Sequence, residues 1–383
     1  MPKRRTDDIV HMVVTDHHIQ RVKPAGDLLA ERPEYHETAA TSYHGEVVPY
    51  YPEALENTPA NALYLALAQV REGANLQKGI PQLEKAIAAA NLARPEPYFE
   101  LGNAWRSAGQ LTRAIEGFQQ ALRRDPVYLP ALLALNVALK AAGDPAQALT
   151  AAKRATEAAP NDSRAWDALG QTQLDVGQPA EALASLKRAL ALDPELPTAH
   201  NGLAIALAQT GDVAGAEAEF REAIRILPNY SEPHGNLASL LSWKQDSRQA
   251  AYEFELAIRL QPADAAARLN YASMLNGLRR FDEALAQVEV ALQVNPRIAE
   301  AHDLRGSLLE RKGSAGDALE EYREAVRLNP ALYQAQLNLG GILLDRGDKS
   351  GAEEHLRIAA KSGDTRLRQI AEQLLQEVTN KIQ

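Results

Sequence analysis

Histidine and asparagine are the residues of this chain whose types and spacing could do chemistry. Five of the nine histidines fall near the start, as His11, His17, His18, His36 and His44. A neutral imidazole ligates metals and moves protons near neutral pH, but none of these histidines shows the tight ligand spacing of a zinc site. His200, His234 and His302 instead share one place in a 34-residue period, which argues for a packing role between helices. Asn236, Asn270 and Asn338 share another place in the same period. A carboxamide donates and accepts at once, so a row of them can pair with a peptide backbone without reading its sequence. Paired acids such as Glu320–Glu321 and Glu353–Glu354 read as solvated helix faces.

Composition narrows the chemistry further. The chain has no cysteine, which excludes disulfides, thiolate metal sites, cysteine nucleophiles and covalent haem attachment within these 383 residues. It shows no phosphate loop, nucleophile elbow or His-Glu-x-x-His, so a non-enzymatic role is expected. The net charge of −9 speaks against a nucleic-acid groove, which needs clustered Lys and Arg. Lys3, Arg4 and Arg5 form one small basic cluster, read as a solvated tail. No apolar run is long enough for a membrane span, and Thr6-Asp7-Asp8 follows the basic cluster where a signal peptide would turn apolar. As written, the chain is expected in the cytoplasm.

These residues must be positioned by helices. Pro126, Pro160, Pro194, Pro228, Pro262, Pro296 and Pro330 recur every 34 residues. Proline cannot continue a helix, so each marks a boundary. Alanine recurs in the same register, from Ala114 to Ala352 and from Ala121 to Ala359. The two series are seven residues apart, which puts both on one helix face, where a small side chain admits a close neighbour. Gly109, Gly143, Gly177 and Gly211 mark a turn between paired helices. Lys244-Gln245-Asp246 and Leu278-Arg279-Arg280 replace that glycine turn in two repeats, which should make those turns less stable.

Tyr98, Leu101, Gly102, Trp105, Ala114, Phe118, Ala121 and Pro126 resemble the tetratricopeptide repeat, and so do Trp166, Leu169, Gly170, Ala182, Leu186, Ala189 and Pro194. The resemblance implies an all-α, right-handed superhelical solenoid. It would comprise a divergent hairpin over 59–94, eight repeats over 95–364 and a capping helix over 365–383. Leu367, Ile370, Ala371, Leu374, Leu375, Val378 and Ile382 give that last helix an apolar stripe. The implied function is a scaffold that binds a peptide or protein along its concave face. Asn236, Asn270 and Asn338 match the asparagine ladder of the repeats in O-linked N-acetylglucosamine transferases. No glycosyltransferase domain accompanies them, and Gly202 and Leu304 interrupt the ladder.

Residues 1–58 do not repeat and read as an irregular, histidine-rich arm. Residues 1–17 and the stretch Gly45–Pro52 resemble the region after a haem-binding Cys-x-x-Cys-His in bacterial multihaem c-type cytochromes fused to such repeats. That resemblance implies an alternative: the docking part of an electron-transfer protein, periplasmic, whose start lies upstream. Haem c would then be the cofactor, with His17 and then His11 as axial-ligand candidates. The chain as given carries no cofactor of its own.

Overall fold

The computed structural model describes residues 3–5, 13–15, 58–73, 75–90 and 92–380. The chain divides into two compact units, Met1–Asn161 and Asp162–Gln383. The first unit holds α1 (Pro59–Arg71), α2 (Leu76–Ala90), α3 (Glu96–Ser107), α4 (Leu111–Arg124), α5 (Leu129–Ala141) and α6 (Pro145–Ala158). Two short strands, β1 (Lys3–Arg5) and β2 (Val13–Thr15), pair antiparallel with Lys3 opposite Thr15. A β-branched run, Val13-Val14-Thr15, thus forms a ladder where the sequence suggests irregular chain.

The second unit continues with α7 (Ser163–Asp175), α8 (Pro179–Leu192), α9 (Pro197–Thr210), α10 (Val213–Ile226), α11 (Ser231–Trp243) and α12 (Ser247–Leu260). It ends with α13 (Ala265–Gly277), α14 (Phe281–Val294), α15 (Ala299–Arg311), α16 (Ala315–Leu328), α17 (Tyr333–Asp345), α18 (Lys349–Ala359) and α19 (Thr365–Asn380). Aspartates open many of these helices: the Asp212, Asp246, Asp264 and Asp348 carboxylates accept from the backbone N–H three residues on. Left-handed glycines close the first helix of most hairpins. Gln245 (φ 66°) and Arg279 (φ 61°) take the same left-handed conformation without glycine's freedom, which is the physical content of the weaker turns expected there.

Packing follows volume. All sixteen alanines of the two series are buried, none more than 1% exposed. Opposite them, a large side chain from each second helix enters the space left by a small residue on the first. The Phe118 ring lies where a Cβ on Gly102 would be, and the Tyr322 ring does the same for Gly306. Leu186 and Leu356 face Gly170 and Gly340 in the same way. One hairpin reverses the sizes: α6 offers only Ala152, and α5 fills the gap with the buried Asn136, whose amide donates to the Ala148 carbonyl at 2.9 Å. In the divergent hairpin, helical spacing puts Ala62, Leu65, Ala66 and Val70 on one apolar stripe; the buried residues of α1 are instead Leu63, Ala66, Leu67 and Val70 with Gln69, so Ala62 faces out and Leu65 is half-buried. On α19, Ala371 and Val378 are buried, but Ile370 is exposed.

In the second unit each first helix also touches the first helix of the next hairpin, whereas second helices do not touch one another. The stack therefore curves with its first helices inside. A recurring clamp joins each hairpin to the last. His200, His234 and His302 bridge a carboxylate on their own second helix (Glu219, Glu253, Glu321; 2.6–2.8 Å) and the proline carbonyl that ends the preceding hairpin (Pro194, Pro228, Pro296; 3.0 Å). Arg268 and Gln336 donate to Pro262 and Pro330 from the same place. A carbonyl at a helix end lacks an intrahelical partner, so these side chains satisfy it. The packing role expected of the histidines is what the structure gives them.

Two outcomes follow. A Cβ on Gly117 would sit 2.7 Å from the Gly102 backbone, which cannot swing aside. Gly117→Ala should therefore destabilise by about 2 kcal/mol in urea unfolding, even though alanine is the better helix former. Burial pulls the His234 pKa down, but the Glu253 carboxylate and the Pro228 carbonyl outweigh it and the net direction is up from 6.5. A raised folded-state value means the contribution is complete below the unfolded pKa and is lost as pH rises through the folded one. The urea midpoint should fall between about pH 6 and pH 8, with a smaller fall in His234→Gln; an unchanged slope would contradict the assignment.

Candidate functional site

The first helices of the second unit line its inner side, and their polar residues are bonded from one hairpin to the next. Thr198 on α9 donates to Asp167 on α7 at 2.7 Å, and Gln171 donates to both Asp167 (3.1 Å) and the Thr198 carbonyl (2.8 Å). Asn236 on α11 donates to the Asn201 carboxamide on α9 at 3.1 Å. Tyr230 also bonds Asn201; burial, with Glu232 and Asp167 adding to it, pushes that phenol up to about 12. Asn270 on α13 points its amide at Ser239 on α11 at 3.5 Å, the outer limit of such contacts, and Ser239 donates to the Gly235 carbonyl. Asn338 on α17 donates to Asp303 on α15 at 2.8 Å and accepts from Gln334 at 3.0 Å.

Asn236, Asn270 and Asn338 thus stand on three first helices of one unit. Each directs one N–H at the preceding hairpin. Spacing alone shows the asparagines but not these partners. Asn201 lies one place off the ladder's register, and Asp303 is not an asparagine. A 35-residue separation, in 201–236 and in 303–338, is the signal that links them. Asn270 is exposed, while Asn236 and Asn338 are half-buried.

The charge on these helices is one-sided. From α7 to α17 the first helices carry Asp167, Asp175, Glu232, Glu300, Asp303, Glu310 and Asp345. Their arginines are all engaged: Arg164 with Asp162, Arg268 with Pro262 and Gln287, Arg305 with Glu321, and Arg311 stacked over the Phe281 ring. Asp303 is the most perturbed of the acids. Burial raises its pKa to about 6, Asn338 opposes the shift and the Glu300 charge adds to it. Among the described residues no three histidine or acidic side chains converge as a metal site, and no helix is long and apolar enough to cross a membrane. His11 and His17 lie outside the described residues.

Comparison with known proteins bears on the repeats. A tetratricopeptide repeat model matches residues 65–128, 168–231, 277–332 and 304–366, and a second such model matches residues 106–172. No curated protein sequence matches the chain. Among solved structures, the crystal structure of the APC/C hetero-tetramer Cut9-Hcn1 is similar, with a TM-score of 0.59 and 14% identity. The match covers 84% of this chain and 63% of that one, a likeness of fold alone. With the 34-residue alanine register buried between paired helices and the family model matching more than half of its length, the chain belongs to the tetratricopeptide repeat family.

Proposed function

We propose that the chain is a protein-interaction scaffold whose second unit holds an extended segment of a partner protein, rich in Lys or Arg, along its inner first helices. The observation that carries this reading is the charge: seven carboxylates on those helices, with every arginine beside them already engaged. An extended segment exposes its backbone amides, and Asn236, Asn270 and Asn338 present carboxamides at repeating intervals to meet them. The Asn236 Oδ1 accepts nothing from the described residues and is available to a backbone N–H. Asp303 supplies a carboxylate in a partly desolvated setting, where a lysine or arginine side chain gains more than it would in bulk water. The role needs no catalytic group.

The test is fluorescence anisotropy with labelled peptides of about 12 residues, one carrying Lys or Arg at every third place and one carrying Glu there. The basic peptide should bind in the micromolar range and weaken with salt, and the acidic one should not bind. Replacing Asn236, Asn270 and Asn338 together by alanine should weaken binding about tenfold, as should Asp303→Asn. Lowering the pH through about 6 protonates Asp303, so affinity should fall on the acid side. Equal binding of the two peptides would overturn the proposal.

A further inference from the structure

On the turn edge of the second unit, two lysine–carboxylate pairs stand on either side of an exposed leucine. Where α11 gives way to α12, Lys244 donates to Glu217 of the preceding hairpin at 2.5 Å. Two hairpins further on, Lys312 donates at 2.6 Å to Asp282, a carboxylate one turn nearer the start of its helix than Glu217 is. These two pairs tie the ends of α11 and α15 to the first two turns of α10 and α14. Between them, the corresponding residue at the end of α13 is Leu278, 43% exposed. The facing start of α12 offers Arg248 in place of an acid. The last residue of α11, at the same edge, is Trp243, and it is 70% exposed.

Several independent features meet here. A tryptophan and a leucine stand in solvent at the ends of successive first helices, close in sequence to Lys244 and Arg280, which are both held in ion pairs. Both turns hold a non-glycine residue in the left-handed conformation, Gln245 and Arg279; backbone held against preference concentrates at functional places. The charges are also unequal in their commitments. Lys244 is held by Glu217, Arg280 by Glu283, and Asp246 caps α12. Arg248 and Arg279 are exposed, and their side chains make no ion pair among the described residues.

We infer that this edge is a second docking surface, distinct from the inner face, for a partner segment that sets an apolar side chain beside carboxylates. Trp243 and Leu278 supply the apolar contact, and aromatic anchors of this kind dominate interface energetics. Arg248 and Arg279 supply planar forks that pair with carboxylates in two parallel hydrogen bonds. The occupant therefore carries the charge opposite to that of the segment proposed for the inner face.

The experiment uses the full chain and a labelled peptide of about 14 residues in which Glu and Asp flank two Phe or Leu residues, with controls that exchange the acids for Lys or the apolar residues for Ser. The acidic apolar peptide should bind and shift tryptophan emission to the blue, and both controls should bind at least about tenfold more weakly. Trp243→Ala should remove the shift and most of the affinity. The pair Leu278→Lys with Arg248→Glu should do the same while rebuilding the ion pair seen on either side, so that loss of binding cannot be attributed to unfolding. Asp303→Asn should leave this binding unchanged, which separates it from the inner face. Failure of the acidic apolar peptide to bind, or unchanged affinity in Trp243→Ala, would overturn the inference. So would sedimentation showing a self-associated chain that Trp243→Ala dissociates, because the occupant would then be a second copy.

Discussion

Close approach of two helices is the constraint on which the rest of this structure depends. Every hairpin places alanines where its helices meet, and every large side chain of a second helix is answered by a gap on the first. Gly102 with Phe118 and Gly306 with Tyr322 show the rule, and Asn136 with Ala152 shows that it is volume and not residue type that is kept. Interiors pack at crystal-like density, so a methyl group at the wrong place is felt at once. Because each hairpin meets this condition only with its neighbours, the stack can lengthen without a single central core.

Once helices are held this close, their ends become the next problem. The proline that stops each second helix leaves a carbonyl without a partner. In the second unit a histidine, arginine or glutamine from the following first helix supplies the donor, and a side chain on its own second helix orients it. The clamp fixes where each first helix begins relative to the hairpin before it. Contacts between successive first helices, with none between successive second helices, give the inner side. Bonds such as Asn236 to Asn201 and Asn338 to Asp303 then become possible across it. The binding surface proposed for this protein is a consequence of the stacking, and its polar residues help to hold the curvature that exposes them.

Periodic sequences report packing well and surfaces poorly. The alanine series, the helix-stopping prolines and the glycine turns are legible because each is required in every repeat, and the structure buries or places them as that requirement implies. The shared place of His200, His234 and His302 is legible for the same reason. Where a segment departs from the period, the pattern misleads: Ala62 and Ile370 fit an apolar stripe yet stand in solvent, because among the described residues the α1–α2 hairpin and α19 are packed by helices on one side only. The asparagines of the inner face could be counted from the sequence, but their partners could not. Those partners belong to a different place in the previous repeat.

By itself the sequence determined the repeat length, the paired helices, the small residues at their contacts and the net negative charge. Local rules decide these: proline stops helices, alanine permits close approach, and a 3.6-residue turn sets the faces. The tertiary structure alone decided which charges remain uncommitted. Arg164 takes its partner, Asp162, from its own helix start, but whether Arg268, Arg305 and Arg311 are free or engaged depends on groups brought within about 3–6 Å by helix packing. So does the burial that raises Asp303, and so does the exposure of Trp243. Charge is a property of composition, whereas its availability is a property of neighbours, and neighbours exist only in the folded chain.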